Sequence, residues 1–384
     1  MCIGKCRHCL RMSRVFLLLL FLFLTQLRGN CEVLHIVIVV CGNRGAQAFD
    51  ALKSIILGTD ALNAVRIHLF AEPLESILKD VILPLDQLVK GCARGAATYK
   101  IYDIDSSHQK HDSAFWSSKE KGFWTNRYRC SAQRLYSFQA LESSVDAALY
   151  VDTDTLVLQN VHQLLHQLQA MRSQSALRAN HSSDVGNHFE ATEACSAAST
   201  CPSRMTTSTG GIIFSAADHC ALSYVQSQRV PFYEPRGLQA GVIFVNITLY
   251  RTMNVLSEMD SILSYPGFDL KEGDQDALNI YASRHQNAIL VMPPEYNWWG
   301  EFADCPLKPS VSNPEALPVI LHGADMRWYL PIEPEFVKLY NLFHSIDVCK
   351  PFEDRTLSFE LRGRSHVIAP AFWNQNADES RISD

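Results

Sequence analysis

Two aspartates one residue apart, Asp152 and Asp154, follow the apolar run "LYV" at 149–151. In an extended chain residues i and i+2 face one side, so their carboxylates point together. Like charges held close cost free energy unless a cation lies between them. A divalent metal answers best, since hard cations take oxygen ligands and often combine one or two carboxylates with substrate phosphates. A metal held this way takes up charge as a diphosphate leaves. The other reading of Asp-x-Asp is a solvated loop, or an N-cap for the helical pattern at 158–170; the strand ahead of it favours ligands. His322 closes a second apolar run, "PVILH". A lone histidine is usually structural, but this one ends a strand that would converge on the same rim, and imidazole suits Mn²⁺ as well as zinc. Gly323 would allow close backbone approach to a phosphate. Arg134 and Arg327 are candidate phosphate partners because guanidinium matches phosphate in a bidentate way, with surface salt bridges as the alternative for each. Asp274, Gln275 and Asp276 open a helix, where Asp by default complements the helix dipole. "NWWG" (297–300) sets aromatic faces beside an amide, which suits stacking on a sugar or, equally, packing in a core.

The elements that must position these residues alternate. "LHIVIVV" (34–40), "VRIHLF" (65–70), "TYKIYDI" (98–104) and "DAALYVD" (146–152) read as strands. Between them, "AQAFDALKSIIL", "EPLESILKDVILPLDQLVKG" and "CSAQRLYSFQALESS" read as helices. Continuous Val, Ile and Leu strands separated by helices imply a parallel sheet covered on both faces. Ligands of such sheets bind beyond the carboxyl ends of the strands, where the aspartates lie. Residues 174–211, rich in Ser, Ala and Thr without apolar period, read as an inserted mobile loop. Order returns with "GIIFSAADH", the strand "AGVIFVN", a helix at 273–284, "NAILVMPPEYNWW" and "PVILHGADMRWY". The tail after Cys349 is polar and charged and is expected to be poorly ordered.

With 384 residues, 47% hydrophobic and 19% charged, the chain can bury a substantial core. A net charge of −6 without a basic stripe argues against a nucleic-acid polymer as partner. Lys5, Arg7, Arg11 and Arg14 precede the apolar run Val15–Leu24, a secretory targeting pattern. The run is shorter than the roughly 20 residues that span a bilayer comfortably, which favours a cleaved signal. Arg28, standing where a cleavage site wants a small residue, favours a signal anchor with a cytosolic N-terminus. Either way the rest of the chain enters the secretory lumen. Nine of the twelve cysteines lie beyond Cys9, and in an oxidising lumen some should pair, Cys195 with Cys201 being a plausible local bridge. The "CIGKCRHC" cluster reads as membrane-proximal thiols open to acylation rather than a zinc site. Asn180 and Asn246 begin glycosylation sequons, the second inside a strand-like run.

"VVCGN", an Arg-bearing helix, "YVDTD", "AGVIFVN", "GDQDALN" and "LHG" occur in that order. The order resembles the family 8 retaining glycosyltransferases, the group containing glycogenin and the bacterial lipooligosaccharide galactosyltransferases. Within the group, "CSAQRLYSF…LYVDTDTLVLQNVHQL" looks closest to the glucoside xylosyltransferases, lumenal enzymes that add α-xylose to O-linked glucose on EGF-like repeats. The likeness runs from about Val33 to Phe343. It implies a nucleotide-diphospho-sugar transferase (GT-A) fold: a single α/β domain over 33–348, its mostly parallel sheet covered by helices on both faces. A cytosolic tail with anchor or signal (1–32) would precede it and a polar tail (349–384) follow.

Carried over, the resemblance makes Asp152, Asp154 and His322 the Mn²⁺ ligands and sets Gly323 and Arg134 at the diphosphate of a UDP-sugar, most simply UDP-xylose. Asn43 matches a nucleotide-contacting position, and Asp274 and Gln275 match residues near the transferred sugar's reactive carbon. Gln239 and Gly241 fall in a donor-binding motif where the family usually has Asn at the first position. Arg327 stands near the place of a family Lys, with Trp328 for its aromatic neighbour. Retention would use Asp274 as nucleophile, or attack from the face the phosphate leaves, Gln275 only stabilising the centre. The implied acceptor is a glycoprotein with O-glucosylated EGF-like repeats, and the implied place is the Golgi or endoplasmic reticulum lumen, as a type II membrane protein or a secreted one. The alternatives are a UDP-glucose or UDP-galactose enzyme, and a catalytically inactive binding protein.

Overall fold

A computed structural model describes residues 33–58, 64–72, 77–91, 97–104, 122–159, 164–174, 211–218, 230–265, 267–298, 318–323, 334–345, 357–361 and 364–368. Strands β1 (Val33–Cys41), β2 (Ala64–Glu72), β3 (Ala97–Asp103), β4 (Ala147–Val151), β6 (Phe214–Asp218), β7 (Leu238–Asn246) and β8 (Ile289–Met292) form one sheet in the order β3-β2-β1-β4-β7-β6-β8. The pairs β1–β2, β2–β3, β1–β4 and β6–β8 are parallel. The pairs β4–β7 and β6–β7 are antiparallel. A separate antiparallel ribbon joins β5 (Thr155–Val157) to β9 (Ile320–His322), with Thr155 opposite His322.

Alternation on β1 shows why its sequence is apolar throughout. Leu34, Ile36, Ile38 and Val40 enter one core layer, with Leu149, Val151 and Phe244. Val37 and Val39 enter the other, with Tyr150, Ile243, Phe138 and Tyr250. Helices α1 (Gly45–Leu57) and α2 (Leu83–Gly91) supply the first layer. Helices α3 (Gly122–Ala140), α4 (Ile247–Thr252), α5 (Val255–Ser264) and α6 (Asp274–Arg284) supply the second. A strand buried on both faces has no polar side to reveal its direction, so β7 reads from sequence like the parallel strands although it runs against both its neighbours, β4 and β6.

Three other expectations shift, and one cysteine pairing that the sequence left open is supplied. The helix at 72–91 is described as a π-helical turn, Leu78–Ile82, running into α2. Pro84 supplies the reason: it has no N–H for the bond to residue 80, and the Leu83 N–H reaches back to Leu78 O in a wider turn. The third helix starts earlier than its amphipathic pattern, at Gly122. The tail contains an antiparallel hairpin, β10 (Leu357–Leu361) with β11 (Arg364–Ile368), across a two-residue connection. Its strands are short and alternating, a weak signal inside a polar tail. Finally, the structure joins Cys41, at the end of β1, to Cys130 on α3, 89 residues apart.

A last helix, α7 (Pro334–Ser345), packs on α1, where His344 Nδ1 lies 2.8 Å from the buried Asp50 Oδ2. Residues 1–32, Asn180, Cys195, Cys201, Arg327, Trp328 and most of the 174–211 segment lie outside the described residues. Among the described residues, no helix is long and apolar enough to cross a membrane.

Candidate metal centre

Asp152 is the first residue past β4, and its N–H donates to Gly241 O (2.8 Å) on the neighbouring β7. The chain then turns, with Thr155 Oγ1 donating to Asp152 O (2.8 Å), and enters β5. Because β5 pairs with β9, the ribbon carries His322 to the aspartates, and the Gly323 N–H donates to Asp154 O (2.7 Å). His322 Nε2 lies 3.3 Å from Asp154 Oδ1 and 3.7 Å from Asp152 Oδ2. One ligand atom from each of the three residues falls within 4.8 Å of the others. Two carboxylates and an imidazole at this spacing suit a divalent cation such as Mn²⁺.

Gly241 forms the floor. A Cβ there would lie 2.2 Å from His322 Cε1 and 2.8 Å from Asp152 Oδ2. Only glycine lets the ring and the carboxylate lie so close to β7.

Two arginines flank the cluster. Arg134 of α3 sets its Nη2 3.4 Å from Asp152 Oδ1 and its Nε 2.5 Å from Asp274 Oδ2. That Nε–H also reaches Ser131 O at 3.1 Å, so the link to Asp274 is a charge contact rather than an aligned hydrogen bond. The same guanidinium donates to Ala240 O and lies over the Tyr150 ring, 4.9 Å from its centroid. Desolvation alone would lower the Arg134 pKa, yet Asp152 and Asp274 hold it above its ordinary value, so it stays charged. Arg44, at the N-cap position of α1, reaches Asp154 Oδ2 at 3.4 Å with its side chain 51% exposed.

The carboxylates divide their atoms. Asp152 Oδ1 accepts from Tyr150 OH (2.6 Å) and faces Arg134, leaving Oδ2 turned to His322. Burial pushes the Asp154 carboxyl up, but His322 in its protonated form, with Arg44, outweighs it and holds the pKa below the usual range. Asp274 goes the other way: burial raises its pKa against the pull of Arg134.

The structure therefore brings Asp152, Asp154, His322, Gly241, Gly323 and Arg134 together, with Asp274 directly behind Arg134. Asp274, only 2% exposed, begins α6 against Arg134 rather than opening onto solvent. Gln275 Oε1 accepts from Ala240 N (3.1 Å) and steadies β7 beside the site. Asn43 is exposed in the turn after β1, where Gly42 takes a positive φ of 61°. Gln239 is buried, its Oε1 accepting from Gly241 N and Asn297 Nδ2, both at 2.6 Å. Asn297 in turn meets His322 Nδ1 at 2.8 Å, so the amide of "NWWG" serves the histidine. Trp298 packs with Leu156, Leu158, Leu339 and Phe343, as core rather than as a sugar platform. Sequence reasoning missed Arg44, although it follows Asn43 at the carboxyl end of β1, and it missed the role of Asn297.

No family model matches the chain. Glucoside xylosyltransferase 1 of Danio rerio is 22% identical over 322 residues, covering 81% of this chain and 67% of the relative. The Gallus gallus protein of the same name is 24% identical over 324 residues, covering 80% and 62%. Glucoside xylosyltransferase 2 of Mus musculus is 24% identical over 339 residues, covering 84% and 63%. The chain thus spans about two thirds of the length of these relatives. Mouse xyloside xylosyltransferase 1 superposes with a TM-score of 0.52 at 13% identity, covering 77% of this chain and 99% of that one. An active-site variant of LgtC gives 0.51 at 13% identity, covering 81% and 95%. These likenesses bear out the GT-A fold and the resemblance read from the ordered motifs.

Proposed function

From the premise of a glycosyltransferase fold and a sequence similar to the glucoside xylosyltransferases, we propose that this chain is a Mn²⁺-dependent retaining glycosyltransferase using a UDP-sugar, with UDP-xylose as donor. One observation carries the reading: two carboxylates and an imidazole converge where the central strand β4 ends, flanked by two arginines. Asp152, Asp154 and His322 would hold the metal, which supplies positive charge to a diphosphate as it leaves. Arg44 and Arg134 add guanidinium charge beside the same place, the first half-exposed and free to turn toward a phosphate. Asp274, buried against Arg134, acts in this arrangement by fixing that arginine rather than as an exposed nucleophile. Such an arrangement favours the same-face route, in which the departing phosphate oxygen takes the acceptor's proton. We further propose a glycoprotein acceptor bearing O-glucosylated EGF-like repeats, and a Golgi or endoplasmic reticulum location reached through the basic and apolar N-terminus.

The test is turnover of a panel of UDP-sugars by the purified full chain, with Mn²⁺ or with EDTA. Mn²⁺-dependent hydrolysis of UDP-xylose alone supports the reading and leads on to glucosylated EGF repeats as acceptors. Preference for UDP-glucose or UDP-galactose would keep the enzyme and overturn the xylosyl assignment. Absence of binding and turnover with every donor would overturn the reading in favour of an inactive binding protein.

A further inference from the structure

The metal reading leaves open what decides which nitrogen of His322 faces the cation. We propose that Gln239 and Asn297 are positioning residues that lock His322 in the tautomer with the proton on Nδ1, so that Nε2 is the nitrogen presented to the metal; this rests on the proposed metal site. Polarity runs from an unambiguous donor. The Gly241 backbone N–H can only donate, and it lies 2.6 Å from the Gln239 side chain, so the amide oxygen must face it. That same oxygen is 2.6 Å from the Asn297 amide, which must therefore turn its NH₂ toward Gln239. Asn297 Oδ1 is then left facing His322 Nδ1 at 2.8 Å, and an acceptor there requires Nδ1 to carry the hydrogen. Nε2, on the far side of the ring, points at Asp152 and Asp154.

Burial makes the relay decisive. Gln239 is 6%, Asn297 5% and His322 1% exposed, so solvent competes little for these bonds. The backbone holds the spacing as well. Trp298, next to Asn297, donates to Ile320 O (2.9 Å) and accepts from His322 N (2.7 Å), tying the amide to β9. Residues 239–241 are anchored from the other side by Gln275 on Ala240 N and Arg134 on Ala240 O. Gly241 thus begins the relay and also makes room for the ring it orients. The Gln239 side chain is long enough for its one oxygen to serve both partners. Outer partners of this kind typically change metal affinity by about 10–100-fold when removed.

Two readouts on the full chain test the relay. The first is the ring ¹⁵N spectrum of histidine-labelled, metal-free protein, which reads directly whether Nδ1 carries a proton, with His322 identified from its Ala variant. The second is Mn²⁺ affinity by electron paramagnetic resonance. The wild type should show the Nδ1–H tautomer. Gln239→Met and Gln239→Asn should lose that preference and weaken Mn²⁺ binding about 10–100-fold. Gln239→Glu keeps both acceptor contacts and should retain the tautomer. Unfolding midpoints in EDTA identify a variant that merely fails to fold, and the Asn and Glu variants then carry the comparison. An Nε2–H tautomer in the wild type overturns the proposal. So does a folded Gln239→Met or Gln239→Asn that keeps wild-type tautomer and affinity. Wild type that shows Nδ1–H yet binds no Mn²⁺ would uphold the relay and overturn the metal reading instead.

Discussion

At the scale of residues, the cluster is held together by what Gly241 lacks. Gly241→Ala would set a methyl group 2.2 Å from His322 Cε1 and 2.8 Å from Asp152 Oδ2, so the ring and carboxylate must both move. We expect Mn²⁺ affinity to fall more than about tenfold while the far core is undisturbed; electron paramagnetic resonance titration and the unfolding midpoint in EDTA measure the two effects. Asp152, Asp154 and His322 were legible because each closes an apolar strand at the rim where ligands of α/β sheets bind, whereas Arg134 was chosen over Arg327 only through the resemblance of the ordered motifs. Gln239 and Asn297 were not legible in the same way. Their roles depend on which amide atom faces which, across 58 residues of chain, and no periodicity encodes that. Asp274 was legible as a site residue, but its burial behind Arg134 is a fact of packing.

Among elements, the three strands on one side of the sheet, β1, β2 and the edge strand β3, are laced by polar groups. His35 Nδ1 meets His68 Nε2 at 2.9 Å, and His68 Nδ1 meets Tyr102 OH at 3.0 Å, linking β1, β2 and β3. Burial, with His35 and Arg66 adding positive charge, pushes His68 down to about 3. Between about pH 6.5 and that value the unfolded chain takes up a proton that the native His68 refuses, so stability falls as pH falls. We expect a slope on the order of 1 kcal/mol per pH unit from this group, present in urea unfolding of the wild type below about pH 6 and reduced in His68→Gln. The first four strands were legible as apolar runs between helices. The reversed direction of β7 was hidden by burial on both faces. The β5–β9 ribbon, three residues a side, was too short to read as a pair, although it is the element that delivers His322.

For the molecule as a whole, the Cys41–Cys130 bridge ties the end of β1 to α3 across 89 residues, just before Arg44 on one side and one turn before Arg134 on the other. Closing so long a loop restricts the unfolded chain, with a typical contribution of about 2–4 kcal/mol. Cys130→Ser should therefore lower the unfolding midpoint by several degrees, about as much as reductant lowers that of the wild type, and reductant should then do little more to the variant. The bridge was not legible, because nine cysteines admit many pairings and only the fold brings these two together. The most direct measurement is Mn²⁺-dependent turnover of UDP-sugar by the full chain beside its Asp154→Asn variant, with folding checked by unfolding in EDTA. We expect turnover in the wild type that EDTA abolishes and that the folded variant lacks. Equal turnover in both, or turnover indifferent to EDTA, would contradict a metal centre at Asp152, Asp154 and His322.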